Sequence, residues 1–533
     1  FRLDLSSMRF LVFTGGSLSE LGKGTALCAI GALLQSCGFR VTVAKIDPYL
    51  NVDAGTLSPE EHGEVFVLED GSEVDLDFGS YERELGLRLS AAHSITSGGV
   101  LSGVLREERE GAYLGQTVRL AVHVMDAVLQ RLKAAAQLPV GGEEADVCLV
   151  EVGGAVGDWD AEIFLEALRK LRRDVEVKMA VCLMVPLVVW ASEQKTKLAQ
   201  DSVRALRGRG LPPDFLICRS ERPMTPATKQ KLSRLSEVPA VSIWESLQIS
   251  DLRQLPCHFQ EQGVVEALCT HLCLSLPSVA GPCLRRALAS HSQCVCVGLV
   301  GKYGHENAYT SVRRALDHAA WQLGVGIEVE LCRVGGCLDH SSQDAWQRFD
   351  AVCIPGGFGA RGFDEKVRVA ECCLSSGVPL LGLCLGFHAA VVAFCRRALG
   401  WSSATSAEFA PDAAEAAVVV KRPCSEMRKG AHAVTFAPGG RLQRLYAANG
   451  ALERFRHRFE VKPELAPVLS GAGLLPTRGC NGEVDAVELA ASGRFFVGTQ
   501  YHPEFQSSEQ RASPVFVGLL KAALEPRATR TRS

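Results

Sequence analysis

An apolar run, RFLVFT at residues 9–14, opens into the glycine-rich stretch GGSLSELGKGT (15–25), an apolar helical segment over about 23–37 and a second apolar run, FRVTVAK at 39–45. Strand, loop, helix and strand in that order constrain the fold most. Two strands joined through a helix lie parallel and need cover on both faces. The pattern predicts the opening of a doubly wound α/β sheet. Continuous apolar runs at 147–152, 179–187 and 214–218 fit further buried strands of the same sheet.

The pattern lapses at SLPSVAGPCLRRALASHSQ, where Pro, Gly and Ser recur without a period, and a linker is expected over 277–292. A second strand-helix series follows in VCVGLVGKY (294–303), IEVELCRV (327–334), FDAVCIPGG (349–357), VPLLGLC (378–384) and FFVGTQY (495–501). A chain of 533 residues exceeds what one core usually serves. The expected division is an N-terminal extension over 1–8, a first domain over 9–276, the linker, a second domain over 293–525 and a disordered tail over 526–533.

A net charge of -3 gives no argument for nucleic-acid or membrane binding, and no long run free of charges and glycines suggests a spanning helix. The chain has 20 cysteines, but they sit mostly singly inside apolar segments such as VCLVEV (147–152), without zinc spacing. Buried reduced thiols in a cytoplasmic protein are the expectation.

In the second half, GLCLG (382–386) sets Cys384 between an apolar strand and an apolar helix. A thiol on such a turn is exposed to backbone N–H groups and a helix N-terminus, which favour thiolate and oxyanion. YHPEF (501–505) adds His502 and Glu504, a base beside a carboxylate that can fix its tautomer. GLCLG alone is better read as a cysteine at the end of a core strand. Together with PGGFG (355–359) upstream, the three motifs resemble the class I glutamine amidotransferase domain. The resemblance implies Cys384 as nucleophile, His502 as base and Glu504 as its orienting partner. It further implies glutamine contacts from Gly357, Leu385, Gly386, Phe387, His388, Glu408 and Arg458, with the N–H groups of Gly357 and Leu385 as oxyanion hole. His388 departs from the family, which carries Gln there.

In the first half, the loop ending in Gly22-Lys23-Gly24-Thr25 can cradle phosphates, with Lys23 as a point charge, although it does not fit GxxxxGK[ST]. Alone it is equally a structural turn. The long charged segment 45–83, EVGGAVGDWD (151–160) and KTKLAQDS (195–202) settle the matter, for with the loop they closely resemble CTP synthase over roughly residues 9–525. That family is a ligase: ATP phosphorylates the 4-oxygen of UTP, and ammonia from glutamine displaces the phosphate to give CTP.

The resemblance implies ATP contacts from Glu20, Leu21, Gly22, Lys23, Gly24, Thr25, Asp77 and Arg219, with Lys45 catalytic near the transferred phosphate and Asp77 and Glu151 holding Mg²⁺. It places UTP or CTP at Ser19, Asp158, Trp159, Asp160, Lys195, Thr196, Lys197, Leu198, Ala199, Gln200 and Lys231. Pro59, His62 and Val65 would form an ammonia gate. GTP as allosteric activator, CTP as feedback inhibitor and a homotetramer are also implied. Several positions depart from the family around the pyrimidine site, among them Glu110, Ala112, Arg119, Leu198 and Ala199. A divergent paralogue acting as a scaffold with weak amination is therefore the alternative reading.

Overall fold

The computed structural model describes residues 9–16, 21–249, 251–276, 293–335, 344–422, 426–490 and 493–525. The extension at 1–8, the linker at 277–292, the tail at 526–533 and the site residues Ser19 and Glu20 lie outside the described residues. The chain divides into two units, Phe1–Thr56 with Ser80–Leu288 and Leu57–Gly79 with Ala289–Ser533.

The first unit is built on a seven-stranded sheet with every pairing parallel. Arg9–Gly15 lies at its centre between Val147–Ala155 and Lys178–Pro186. Val41–Asp47 and Ser94–Thr96 continue one side; Phe215–Ser220 and Ile243–Leu247 continue the other. Every residue of Val41–Asp47 is buried, so its apolar residues do not alternate with exposed polar ones, and the charged Lys45 and Asp47 fall at its carboxyl end. The helix Lys23–Ser36 leaves the central strand through the glycine loop, with Gly22 at its N-cap in the left-handed region at φ 87°. On one face of the sheet Val12, Ile46, Phe164, Leu168 and Val203 form a continuous core.

The second unit carries a nine-stranded sheet whose first five strands are parallel: Gly326–Arg333, Cys294–Gly301, Ala351–Ile354, Leu380–Leu383 and Phe496–Thr499. The remaining four, Val484–Leu489, Leu474–Gly479, Arg428–Thr435 and Gly450–His457, are antiparallel. The strand carrying the GLCLG motif thus sits mid-sheet beside the strand preceding YHPEF.

Residues 57–79 belong to this second unit although they fall early in the chain. Local chemistry accounts for it. The Glu64 carboxylate accepts from the Ser311 N–H at 3.0 Å, and the buried Glu73 pairs with Arg456 at 2.7 Å and Lys429 at 2.9 Å. Arg454 donates to the Val67 carbonyl at 3.0 Å, and the Phe66 and Phe505 rings meet edge-on at 4.9 Å.

No described helix is long and apolar enough to cross a membrane. Most described cysteines are free and many are buried in strands, as expected; Cys257 is disulfide-bonded.

Candidate functional site

Cys384 occupies a strained backbone position at φ 52° and ψ −101°, between the strand Leu380–Leu383 and the helix Leu385–Ala398. Its N–H is bonded to the Thr499 carbonyl at 2.7 Å, and its carbonyl accepts the His388 N–H at 3.1 Å. The two glycines of the motif are required by close approach. A Cβ at Gly386 would stand 1.9 Å from the Ile354 carbonyl oxygen, and one at Gly382 would stand 2.4 Å from that of Gly386. The turn therefore packs directly against neighbouring backbone and drives the thiol outward.

His502 and Glu504 follow the adjacent strand. His502 Nδ1 lies 2.7 Å from Glu504 Oε1, so the imidazole is held with Nε2 free for the thiol. Burial by itself would push His502 down. The Glu504 carboxylate and the bond to Cys384 outweigh it and carry His502 up to about 10. The His502 ring stacks on Phe505 at 4.9 Å. Gly356 closes the third side, for a Cβ there would lie 3.1 Å from His502 and 3.5 Å from Cys384.

One cavity beside the thiol is lined by Gly357, Cys384, Leu385, His388, Glu408, His457 and Arg458. It brings five of the seven expected glutamine contacts together. Gly386 and Phe387 are placed elsewhere: Gly386 abuts Ile354, and the buried Phe387 packs against Gly498. Burial raises the Glu408 carboxyl, against the opposing Gly359 N–H, Lys302 and Arg458. His388 Nε2 bonds Gln500 Oε1 at 2.7 Å, while Gln500 Nε2 lies 3.7 Å from Cys384 Sγ. Burial pushes His388 down to about 4, against Gln500 and the Phe459 carbonyl, so the ring is neutral.

A second cavity reaches the thiol from the other side and is lined by Pro59, Glu64, Val65, Tyr303, Cys384 and His502, among others. Pro59 and Val65 thus share a cavity with the reacting groups, while the partly exposed His62 is not among its lining residues.

In the first unit the expected residues gather at the carboxyl ends of the central strands. Lys45 and Glu151 are opposite one another on adjacent strands, with Nζ 3.9 Å from the Glu151 carboxylate and 3.6 Å from Asp47. Tyr81 donates to the other Glu151 oxygen. Lys23 reaches the Gly154 carbonyl at 3.1 Å beside Leu21, Gly22, Gly24 and Thr25 of the loop. Arg219 donates to the Leu247 carbonyl at 3.2 Å. Asp77, which opens the helix Asp77–Leu85, falls in the second unit and is not among the residues gathered here.

The residues expected at the pyrimidine site are mostly solvent-facing. Trp159 is 91% exposed, beside Asp158 and the exposed Asp160, and Asp158 accepts the Ala155 N–H at 2.7 Å. Lys195 pairs with Glu193, Lys197 with Asp201 at 2.8 Å, and Gln200 bonds the Thr196 hydroxyl at 2.8 Å. Lys231 is exposed on the helix Pro226–Ser236, and Leu198 is at the surface. Ala199 is fully buried in the sheet core, so its side chain serves packing.

Sequence reasoning missed Asp47, Tyr81, Gln500 and His457. Asp47, two residues beyond Lys45 on one strand face, was the one with a periodic signal.

A family model for the CTP synthase N-terminus matches residues 9–274, and one for class-I glutamine amidotransferase matches residues 305–522. The chain is 39% identical over 532 residues to a CTP synthase of Methanosphaerula palustris, spanning 98% of this chain and 100% of that one. It is 40% identical to a CTP synthase of Halobacterium salinarum, spanning 97% of this chain and 95% of the other. Among solved structures, a Trypanosoma brucei CTPS glutaminase domain with bound acivicin matches 43% of this chain and 93% of that domain, at 30% identity and a TM-score of 0.40.

Proposed function

This chain belongs to the CTP synthase family, and from that premise we propose that it aminates UTP to CTP with ATP and glutamine by the residues assembled above. The observation that carries this is full-length similarity joined to a Cys384–His502–Glu504 arrangement in one cavity system.

In the second unit, the Cys384 thiolate adds to the side-chain amide carbon of glutamine. The new oxyanion faces the N–H groups of Gly357 and Leu385. His502 gives its proton to the departing nitrogen, leaving a thioester and ammonia; water, deprotonated by His502, then releases glutamate. Glu504 holds the imidazole throughout. Arg458 and Glu408, at the cavity's rim, suit the carboxylate and ammonium of an amino acid. Pro59 and Val65 line the cavity by which ammonia leaves the thiol, with His62 beside them in sequence.

In the first unit, Leu21–Thr25 and Arg219 hold ATP, Lys45 meets the transferred phosphoryl group, and Lys195, Lys197, Gln200 and Lys231 hold UTP. Phosphorylation converts the 4-oxygen into a leaving group, which ammonia displaces as phosphate. Among the described residues no group of three or more His, Cys, Asp or Glu side chains is placed to hold a metal ion. A Mg²⁺ carried on a triphosphate needs only one or two carboxylates. Glu151, a buried carboxylate beside a lysine at the strand ends, fits that need. When bound, the ion would offset phosphate charge.

The family resemblance supports GTP as activator, CTP as feedback inhibitor, a homotetramer and a cytoplasmic setting. Exposed Leu105, Leu114, Leu120 and Val122 offer apolar surface for subunit contacts. The test is CTP formation from UTP and ATP, with glutamine and then with ammonium as nitrogen source. Failure with both would overturn the assignment.

A further inference from the structure

Lys366 lies in the helix Phe363–Ser376 and is completely buried. Among the described residues no carboxylate pairs with it; Nζ donates to the Pro355 carbonyl at 2.8 Å. An ammonium buried without a counter-charge is costly, and an apolar side chain would serve packing better. Its position suggests what it serves instead. Pro355 begins the PGGFG loop, and Gly356, next in the chain, lies against both Cys384 and His502. At the loop's other end Lys302 Nζ holds the Phe358 carbonyl and, at 2.8 Å, that of Gly359. Gly357 therefore sits between two anchored peptide groups.

We propose that Lys366 is a positioning residue of the glutaminase: it fixes the loop so that the Gly357 N–H faces the developing oxyanion. The proposal rests on the glutaminase reading above. The charged and titratable groups acting on Lys366 are Lys302, Cys384 and Cys353. Burial dominates and, with Lys302, pushes the ammonium down to about 7, while Cys384 and Cys353 oppose that fall. Nζ keeps an N–H for the Pro355 carbonyl with or without its extra proton, so the anchor does not depend on the charge.

The experiment uses the full chain with Lys366→Met and Lys366→Gln, and follows deuterium uptake of peptides covering 355–359 beside the kinetics of glutamine hydrolysis. In Lys366→Met, kcat for glutamine hydrolysis should fall roughly tenfold or more, short of the ~10²–10³ expected for deleting an oxyanion donor itself. KM should stay within about twofold, and uptake at 355–359 should quicken by roughly tenfold. Lys366→Gln keeps an N–H donor on a shorter side chain, so part of kcat and part of the protection should return. A Lys366→Met kcat within about twofold of the parent, or a lower kcat with unchanged uptake at 355–359, would overturn the proposal. If Lys366→Met does not fold, the uptake of Lys366→Gln decides alone, and uptake equal to the parent's would overturn it. Exchange does not depend on turnover, so a parent chain that hydrolyses no glutamine would fail the functional reading while still testing Lys366.

Discussion

Trp159 stands in solvent, and Lys195 and Lys197 pair only with neighbours on their own segments, whereas Cys384, His502 and Glu504 lie buried in one cavity system. The difference follows from the two chemistries. A thiolate nucleophile needs its base, its orienting carboxylate and its oxyanion donors preassembled in a dry setting. Triphosphates bring their own charge, so on the proposed function lysines on exposed loops would meet them on arrival, while Lys45 and Glu151 are buried at the strand ends. On that proposal one unit is organised before substrate binds and the other largely by it.

The most severe break in that comparison is Cys384→Ala. Glutamine-driven CTP formation should fall by roughly 10³-fold or more, while ammonium-driven formation stays near the parent rate. Equal loss of both would mean the two chemistries are not separate. Glu151→Ala attacks the other unit, and both nitrogen sources should then fail by ~10²–10³ in kcat, because phosphate charge is left uncompensated at the transition state. Near-normal turnover with ammonium and saturating Mg²⁺ would remove Glu151 from the metal site.

A subtler test concerns the charge held on His502. In Glu504→Gln the carboxylate that does most to lift His502 to about 10 is gone, and only the contact with Cys384 is left to oppose burial, which pushes it down. The imidazolium should then lose its proton at lower pH. The alkaline limb of kcat/KM for glutamine should move down by roughly one unit or more, with a maximal rate about ten- to a hundredfold below the parent. An alkaline limb that does not move would show that Glu504 orients the ring without setting its charge.

The buried, preassembled unit was also the more legible in sequence. Cys384, His502 and Gly357 sit at strand ends marked by glycines and apolar runs, so a local pattern locates each of them. What sequence could not yield are contacts made at long range by residues with no local pattern: Gln500 against His388, Lys366 beneath Pro355, and Glu73 between Lys429 and Arg456. The four antiparallel strands of the second unit were likewise missed, since 428–435 and 450–457 are half-exposed and mix charges among few apolar residues. At Ala199 the local pattern and the packing point different ways. Beside Lys197 and Gln200 it reads as part of the nucleotide site, yet the helix turns its side chain into the core.

His388 is where a small effect is expected inside the well-organised unit. Its relatives' pattern carries Gln, and an amide offers donor and acceptor from one branch point. The imidazole offers its two nitrogens on opposite sides of a ring, and here Nε2 is committed to Gln500 at 2.7 Å. The ring is neutral, so no charge is lost on replacement. In His388→Gln the new NH₂ can keep the bond to Gln500 while its carbonyl turns toward the cavity shared with Glu408 and Arg458. One regained hydrogen bond is worth about 0.5–1.5 kcal/mol, or roughly two- to tenfold in KM for glutamine. KM should fall by that amount, with ammonium-driven synthesis unchanged because the substitution lies in the glutaminase unit. An unchanged KM would mean that the imidazole already serves the substrate as well as an amide. A raised KM would mean that the His388–Gln500 contact is itself what shapes the cavity, and that the loss of family Gln here was accompanied by a rearranged pocket.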